Sequence, residues 1–123
     1  MQSVRWEDIP DEFVRDGVRR RGFGTAECLL VMNECRPGMD VRSHVHDDFD
    51  QIAMILRGRA IYHVGDVDNE MSAGSIVLIP AGVSHSIEPI GEEIVQNIDV
   101  FTPCRADLAH LLDWMKGGGA SPD

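Results

Sequence analysis

Gly38-Met39-Asp40-Val41-Arg42-Ser43-His44-Val45-His46-Asp47-Asp48-Phe49-Asp50-Gln51, continuing through Ile52-Ala53-Met54-Ile55-Leu56-Arg57 to Gly58, is the stretch on which the fold of this 123-residue chain turns. Alternate residues of an extended segment point to one side, so His44 and His46 aim both imidazoles into the same space, where neutral nitrogens can bind a borderline metal ion. Gln51 can add an oxygen donor, and Asp47, Asp48 and Asp50 compete with it as harder oxygen ligands. Taken alone, the His-x-His pair reads equally well as surface decoration, and the acidic run as a solvated loop.

Outward from this stretch, short apolar segments recur every eight to twelve positions between turn residues, the spacing of an all-β sandwich or barrel. Strands are predicted over Val18–Gly22, Glu27–Cys35, Gln51–Arg57, Arg59–Val64, Asn69–Ser72, Ser75–Ile79, His85–Glu88 and Glu93–Phe101. Arg36-Pro37-Gly38, Arg57-Gly58, Gly65-Asp66, Ala73-Gly74 and Pro80-Ala81-Gly82 mark the turns. After Pro103 the pattern changes: Leu108, Leu111, Leu112 and Met115 fall at helical spacing and Gly117-Gly118-Gly119 ends it, which predicts one short amphipathic C-terminal α-helix. Residues 1–116 then form one domain and 117–123 a disordered tail.

Composition narrows the function classes. Hydrophobic residues at 43% and charged residues at 26% are ordinary for a globular domain, and no apolar run is long enough to cross a bilayer. The N-terminus lacks the pattern of a secretory signal, so a cytoplasmic location is expected. Cys28, Cys35 and Cys104 form neither an even set nor a CxxC pair, and reduced, packed thiols follow. A formal charge of −10, from 21 acidic against 11 basic residues, disfavours nucleic acid and anionic membrane as partners. An anionic small ligand would need local arginines to overcome that field.

The quoted stretch resembles the first motif of the cupin superfamily: Gly38, five residues, His44 and His46, four residues, Gln51 in place of the usual Glu, six residues, Gly58. A second cupin motif is matched by Gly74, Pro80, Gly82 and His85, with Pro89 where Asn is usual. The resemblance implies a double-stranded β-helix, a jelly-roll barrel, with one divalent transition metal ion (Ni, Zn, Mn or Fe) at the positions of His44, His46, Gln51 and His85. His63 and His110 fall outside those positions. With Gln for Glu, such a site would keep the full dipositive charge of its ion, which favours Lewis-acid polarisation over support of a ferric state. The competing reading is a degenerate cupin that no longer binds metal.

Glu93 to Phe101 alternates Val95, Asn97, Asp99 and Phe101 against Ile94, Gln96, Ile98 and Val100. Periodicity by itself buries Ile98 and Val100 and leaves Asp99 in solvent; both faces can be covered if one lines a pocket. The run from Asp99 to Leu108 resembles the ending of small cupins of the pectin-degradation KdgF group, which convert unsaturated monouronates to the open-chain keto form, and Trp6-Glu7-Asp8 and Gly17-Val18-Arg19-Arg20 are similar too. That resemblance implies catalytic or substrate-binding roles for Asp99, Phe101 and Arg105, with Asp99 moving a proton and Arg105 pairing with a carboxylate of a sugar acid or related anion. Arg20 or Arg21 could add to anion recognition, although as surface residues they have a simpler explanation. Met32, Met39, Met54 and Tyr62 could line the pocket, with core packing the default. The same family likeness, and sheet edges that need cover, imply a homodimer. Two other functions stand against the isomerase: an iron-dependent dioxygenase of a small organic substrate, and a ligand-binding cupin without catalysis.

Overall fold

The computed structural model describes residues 3–116, so the expected tail at 117–123 lies outside the described residues. Nine strands form two antiparallel sheets: β1 (Glu12–Arg15), β2 (Val18–Gly24), β3 (Leu29–Cys35), β4 (Gln51–Arg57), β5 (Arg59–Val64), β6 (Val67–Ser72), β7 (Ile76–Ile79), β8 (His85–Ile90) and β9 (Val95–Phe101). One sheet has the order β1-β2-β3-β9-β4-β7 and the other β6-β5-β8. The two face each other as the expected jelly-roll sandwich.

Strand alternation builds the interior. Along β4, Gln51, Ala53 and Ile55 are buried while Ile52 and Leu56 are exposed, the period-two signature of a sheet with one covered face. One apolar cluster joins the sheets through Val18, Cys35, Met39, Ala53, Ile55, Ala60, Tyr62, Met71, Ile79 and Val95. A second, of Leu29, Val31, Phe101, Leu108 and Leu111, lies beneath the C-terminal helix. Truncating a fully buried member such as Leu29 to Ala would cost about 2–5 kcal/mol. Gly58, the last residue of the opening stretch, joins β4 to β5 with φ +84°, and a Cβ there would meet the Ile94 carbonyl oxygen at 2.9 Å. Glycine is required at that corner.

Three features depart from the sequence reading. β1 and a 3-10 turn at Trp6–Asp8 lie in the N-terminal stretch where no element is predicted. The hairpin turn Asp16-Gly17 was the available signal. The terminal helix, Ala106–Lys116, is wound as 3-10 turns rather than α-helix. It packs on β2, where Leu111 lies so close to Gly22 that an added Cβ would sit 2.5 Å from the leucine's own Cβ, and the Trp114 indole donates to the Gly22 carbonyl at 2.9 Å. Asp99, left in solvent by periodicity alone, faces the space between the sheets, because the helix, loops and second sheet close over that side of β9.

All three cysteines are free thiols, with Cys35 buried and its pKa pushed up to about 12 by burial. Among the described residues no helix is long and apolar enough to cross a membrane.

Candidate functional site

A cavity of about 270 Å³ opens between the two clusters, and its lining includes His44, His46, Gln51, His85, Asp99, Phe101 and Arg105. The four motif positions expected to hold an ion and the three residues expected to act on substrate therefore line one space. His44 and His85 are brought together by the backbone, each donating its N–H to the other's carbonyl, at 2.8 and 2.9 Å. Residues paired directly across antiparallel strands project to the same side, so the two rings, 5.9 Å apart between centres, share the cavity. His46 is fixed next to them: its carbonyl accepts from the Gly82 N–H at 2.8 Å and its ring stacks on Phe49, 4.8 Å away, leaving it 5.2 Å from His85. Asp50 is occupied elsewhere, accepting from the Ala81 N–H at 2.9 Å and so tying the first motif to the second. Asp47 and Asp48 are exposed and outside the cavity lining, whereas Gln51 is part of it.

Gln51 and Asp99 form the polar centre of the site. The Gln51 amide nitrogen donates to Asp99 Oδ1 at 2.8 Å, Asn97 donates to the same oxygen at 3.1 Å, and Asn33 donates to Oδ2 at 3.0 Å. A carboxylate accepts only, so this bond fixes which way the Gln51 amide points. Its Oε1 is consequently turned away from Asp99, buried and without a hydrogen-bond partner. Burial pushes the Asp99 carboxyl up from an ordinary 3.8 to about 6, against the opposing pull of Gln51, Asn33, the Arg105 charge and Asn97. Desolvation thus outweighs three amide donors and a guanidinium.

Arg105 stands at the edge of the cavity with its guanidinium carbon 5.0 Å from the Phe101 ring centre and 5.6 Å from that of Phe49. One edge of its guanidinium is taken by Asp107, through Nε at 3.1 Å and Nη2 at 2.7 Å. A bidentate edge of the kind that the sequence reading assigned to a ligand carboxylate is therefore engaged within the chain. Arg20 and Arg21 are engaged as well: Arg20 pairs with Glu12 at 2.6 Å, and Arg21 binds the carbonyls of Trp6, Glu7 and Ile9 and the Glu34 carboxylate.

Asn33, Asn97 and Arg15 line the cavity and were missed by the sequence reading, as was Phe49, which is outside the lining but stacks on His46. Asn33 and Asn97 are cross-strand partners on β3 and β9, and their alternation with Val31, Cys35, Val95 and Asp99 was the available signal. Tyr62 lines the cavity, as one of its two readings had it, while Met32 and Met39 are buried core and Met54 is half-buried and absent from the lining. His63 sits outside, bridging Asp68 at 2.6 Å and Glu88 at 2.8 Å, and His110 contacts Glu12 at 3.0 Å.

Residues 32–101 match the family model of the cupin domain. The chain is a cupin. Over 63 residues, 51% of the chain and 52% of the relative, it is 33% identical to an oxalate-binding protein of Thermotoga maritima. Over 54 residues, 44% of the chain and 50% of the relative, it is 35% identical to an uncharacterized protein of Streptomyces coelicolor. This cupin spans about half the length of the curated relatives it matches. Among solved structures it is similar to KdgF from a Halomonas species, with a TM-score of 0.75 at 22% identity over 83% of the cupin and 93% of that chain. A predicted oxalate decarboxylase from Thermotoga maritima gives 0.74 at 22% identity over 84% and 100%. At those identities the likeness concerns the fold.

Cupins generally bind a divalent metal ion. Among the described residues no three His, Cys, Asp or Glu side chains are already gathered as a cage, but the donor set of this cupin fits an ion in three respects. The buried Oε1 of Gln51 lacks any other partner, which is costly unless something positive meets it. His85 Nδ1 lies 3.2 Å from the Val83 carbonyl, and donation there leaves Nε2 as the free lone pair. Burial is the first cause holding His44 and His46 below the usual histidine range, reinforced at His44 by His85 and at His46 by Arg105, so both are poised as neutral donors.

Proposed function

We propose that this cupin is a metal-dependent isomerase of a small sugar acid, opening the ring of an unsaturated monouronate and converting it to the keto form. The observation that carries the reading is the Gln51–Asp99 hydrogen bond. It joins an oxygen donor free for an ion to a carboxyl whose pKa, about 6, suits proton transfer near neutrality.

His44, His46, Gln51 and His85 would hold the ion through three imidazole nitrogens and one amide oxygen. A divalent ion held by neutral ligands supplies Lewis-acid polarisation of a substrate hydroxyl, carbonyl or carboxylate. The remaining work falls to the chain. Asp99 takes the proton of the anomeric hydroxyl as the ring C–O bond opens; the electron pair of that bond leaves on the ring oxygen as an enolate, and the proton returns to the enolate carbon to give the ketone. No atom is gained or lost, so neither oxidant nor reductant is needed. Asn33, Asn97 and Gln51 hold the carboxyl in place through its two oxygens. Phe101, braced by Phe49, gives the cavity an apolar wall that excludes water, and Arg105 over the Phe101 ring adds positive charge next to the developing enolate. A cytoplasmic location belongs to the same reading. So does a homodimer, formed on the outer face where Ile52 pairs with Leu78 and both are exposed together with Leu56 and Ile76.

The test is direct. Full-length protein loaded with Zn(II), Ni(II) or Mn(II) is incubated under argon with the unsaturated monouronate released by a polysaccharide lyase, and loss of the conjugated double bond is followed by ultraviolet absorbance and NMR. Turnover that requires the ion and is abolished by Asp99→Ala supports the reading. Oxygen consumption that depends on Fe(II) and a diketone or thiol substrate would replace it with a dioxygenase. The match to an oxalate-binding protein favours a second reading, non-catalytic capture of a small carboxylate. In that case the acid binds without being converted, and Asp99→Ala leaves its affinity nearly unchanged.

A further inference from the structure

Among the described residues, Arg15 is the cation lining the pocket that has no Asp or Glu within ion-pair distance. The 21 acidic residues outnumber the 11 basic ones almost two to one, so an arginine without a carboxylate is unusual here. Among the described residues, Arg5, Arg19, Arg20, Arg21, Arg42, Arg57, Arg59, Arg105 and Lys116 all stand within ion-pair distance of an Asp or Glu. Arg15 and Arg36 do not. Arg36 lines only a second cavity, whereas Arg15 borders both and reaches the main one on the β1 side, close enough for its charge to act on His44. Its one hydrogen bond is a long one, from Nε to the Asp40 carbonyl at 3.4 Å.

The backbone turns it there. In the β1–β2 ladder Glu12 pairs with Arg20 and Phe13 with Arg19, but Arg15, not Val14, pairs with Val18. The extra residue is a β-bulge. Simple alternation would put Arg15 on the outer face with Phe13, which is 60% exposed; the bulge resets the register and places it on the face of Val18, which is buried at the cavity. The charge of Arg15 acts as far in as Cys35, opposing the rise that burial imposes on that thiol.

We propose that Arg15 is the carboxylate receptor of the site, taking the acid group of the substrate on the β1 side of the cavity while Arg105 stays clasped to Asp107. This rests on the sugar-acid reading above and changes which arginine selects for it. A guanidinium with no carboxylate partner can give a ligand carboxylate two parallel N–H bonds from any edge, whereas Arg105 has its Nε/Nη2 edge and part of its charge already engaged by Asp107. Arg15 is then a specificity residue, and Asp99 with the ligand quartet remains the chemical centre.

Equilibrium binding separates this from the isomerase reading. Galacturonate, which has no double bond to isomerise, and its neutral methyl ester are titrated into the metal-loaded full chain by calorimetry, using the wild type, Arg15→Gln, Arg15→Lys and Arg105→Gln. The wild type should prefer the acid, Arg15→Gln should bind it roughly 10- to 100-fold more weakly with little change for the ester, Arg15→Lys should recover part of the preference, and Arg105→Gln should keep it. A misfolded variant would lose both ligands alike, and the partial rescue by Lys controls for that. Preference retained in Arg15→Gln and lost in Arg105→Gln overturns the proposal, as does a wild type that binds acid and ester equally. If galacturonate fails to bind at all but oxalate binds through Arg15, the receptor stands and the uronate reading falls.

Discussion

Replacing Asp99 by Asn should abolish turnover while leaving the fold intact, and it should reverse the usual pH dependence of the cost. The carboxyl is raised from 3.8 to about 6 in the folded chain. A carboxyl that holds its proton more tightly when folded contributes stability at low pH that is lost as pH rises from about 4 to about 6. At about 1.4 kcal/mol per pKa unit, the full penalty of the ionised group at neutral pH is about 3 kcal/mol, of which roughly 2 kcal/mol develops between pH 4 and 7. A neutral amide avoids that penalty. It still sacrifices acceptor capacity, because one of its two polar atoms becomes a donor facing the donors Gln51 and Asn97 or the donor Asn33. The loss is about 1–2 kcal/mol, reduced if the Asn33 amide turns over. The variant should therefore be less stable than wild type at pH 4 and equal or more stable at pH 7, with activity down at least 100-fold. Urea denaturation of both proteins across this range, in chelator so that no bound dication depresses the carboxyl, gives the comparison. A stability difference that stays constant from pH 4 to 7 would refute a raised Asp99 pKa.

Four other outcomes follow from the same geometry. Gln51→Glu, which restores the usual cupin residue, sets a second carboxylate at the 2.8 Å contact with Asp99; the like charge raises the Asp99 pKa further, so in chelated protein carboxyl titration by infrared spectroscopy moves above pH 6. His63, raised by its bonds to Asp68 and Glu88, stabilises the fold fully below about pH 6.5 and loses that contribution as pH climbs through its elevated pKa; thermal melts of His63→Gln should lack this alkaline decline, though the effect is small at so exposed a site. Gly22→Ala should force the C-terminal 3-10 helix off β2, costing about 1–3 kcal/mol and red-shifting Trp114 fluorescence as its indole leaves the Gly22 carbonyl. Leu78→Lys should convert a dimer to monomers in light scattering without lowering the melting temperature of the isolated chain, and an unchanged mass would remove the β4–β7 face from consideration.

Much of the site was legible because its spacings are set by local chain geometry. His44 and His46 two apart, Gln51 opening a strand, and His85 just after a Pro-Ala-Gly turn each carry their position in the backbone pattern around them. β4, β5 and β7 lie close to their predicted bounds for the same reason, since glycines and Pro80 punctuate them. Phe49 was harder to see: a single aromatic in an acidic loop gives no periodic signal, and its role depends on stacking with His46 and an edge-to-face contact with Phe101. Asn33 and Asn97 looked like ordinary polar positions on two strands, and Asn33 lies 66 residues from its partner Asp99. Asn97 reaches Asp99 along β9 itself, but only the β3–β9 pairing sets Asn33 beside it.

The sequence by itself determined that this chain folds as a cupin and singled out His44, His46, Gln51 and His85, which share one cavity, because turn residues and period-two alternation act over a few neighbours at a time. Tertiary structure decided the rest, where the physics is long-range or where local alternation breaks. Closure of the second sheet and the helix over β9 turned Asp99 from a solvent position into a desolvated carboxyl. The Gln51 amide took its direction from that same carboxyl, freeing Oε1. Asp107 claimed one edge of the Arg105 guanidinium. A single extra residue in β1 rotated Arg15 onto the pocket face, a consequence of register that no reading of Glu12-Phe13-Val14-Arg15 as a simple strand could supply.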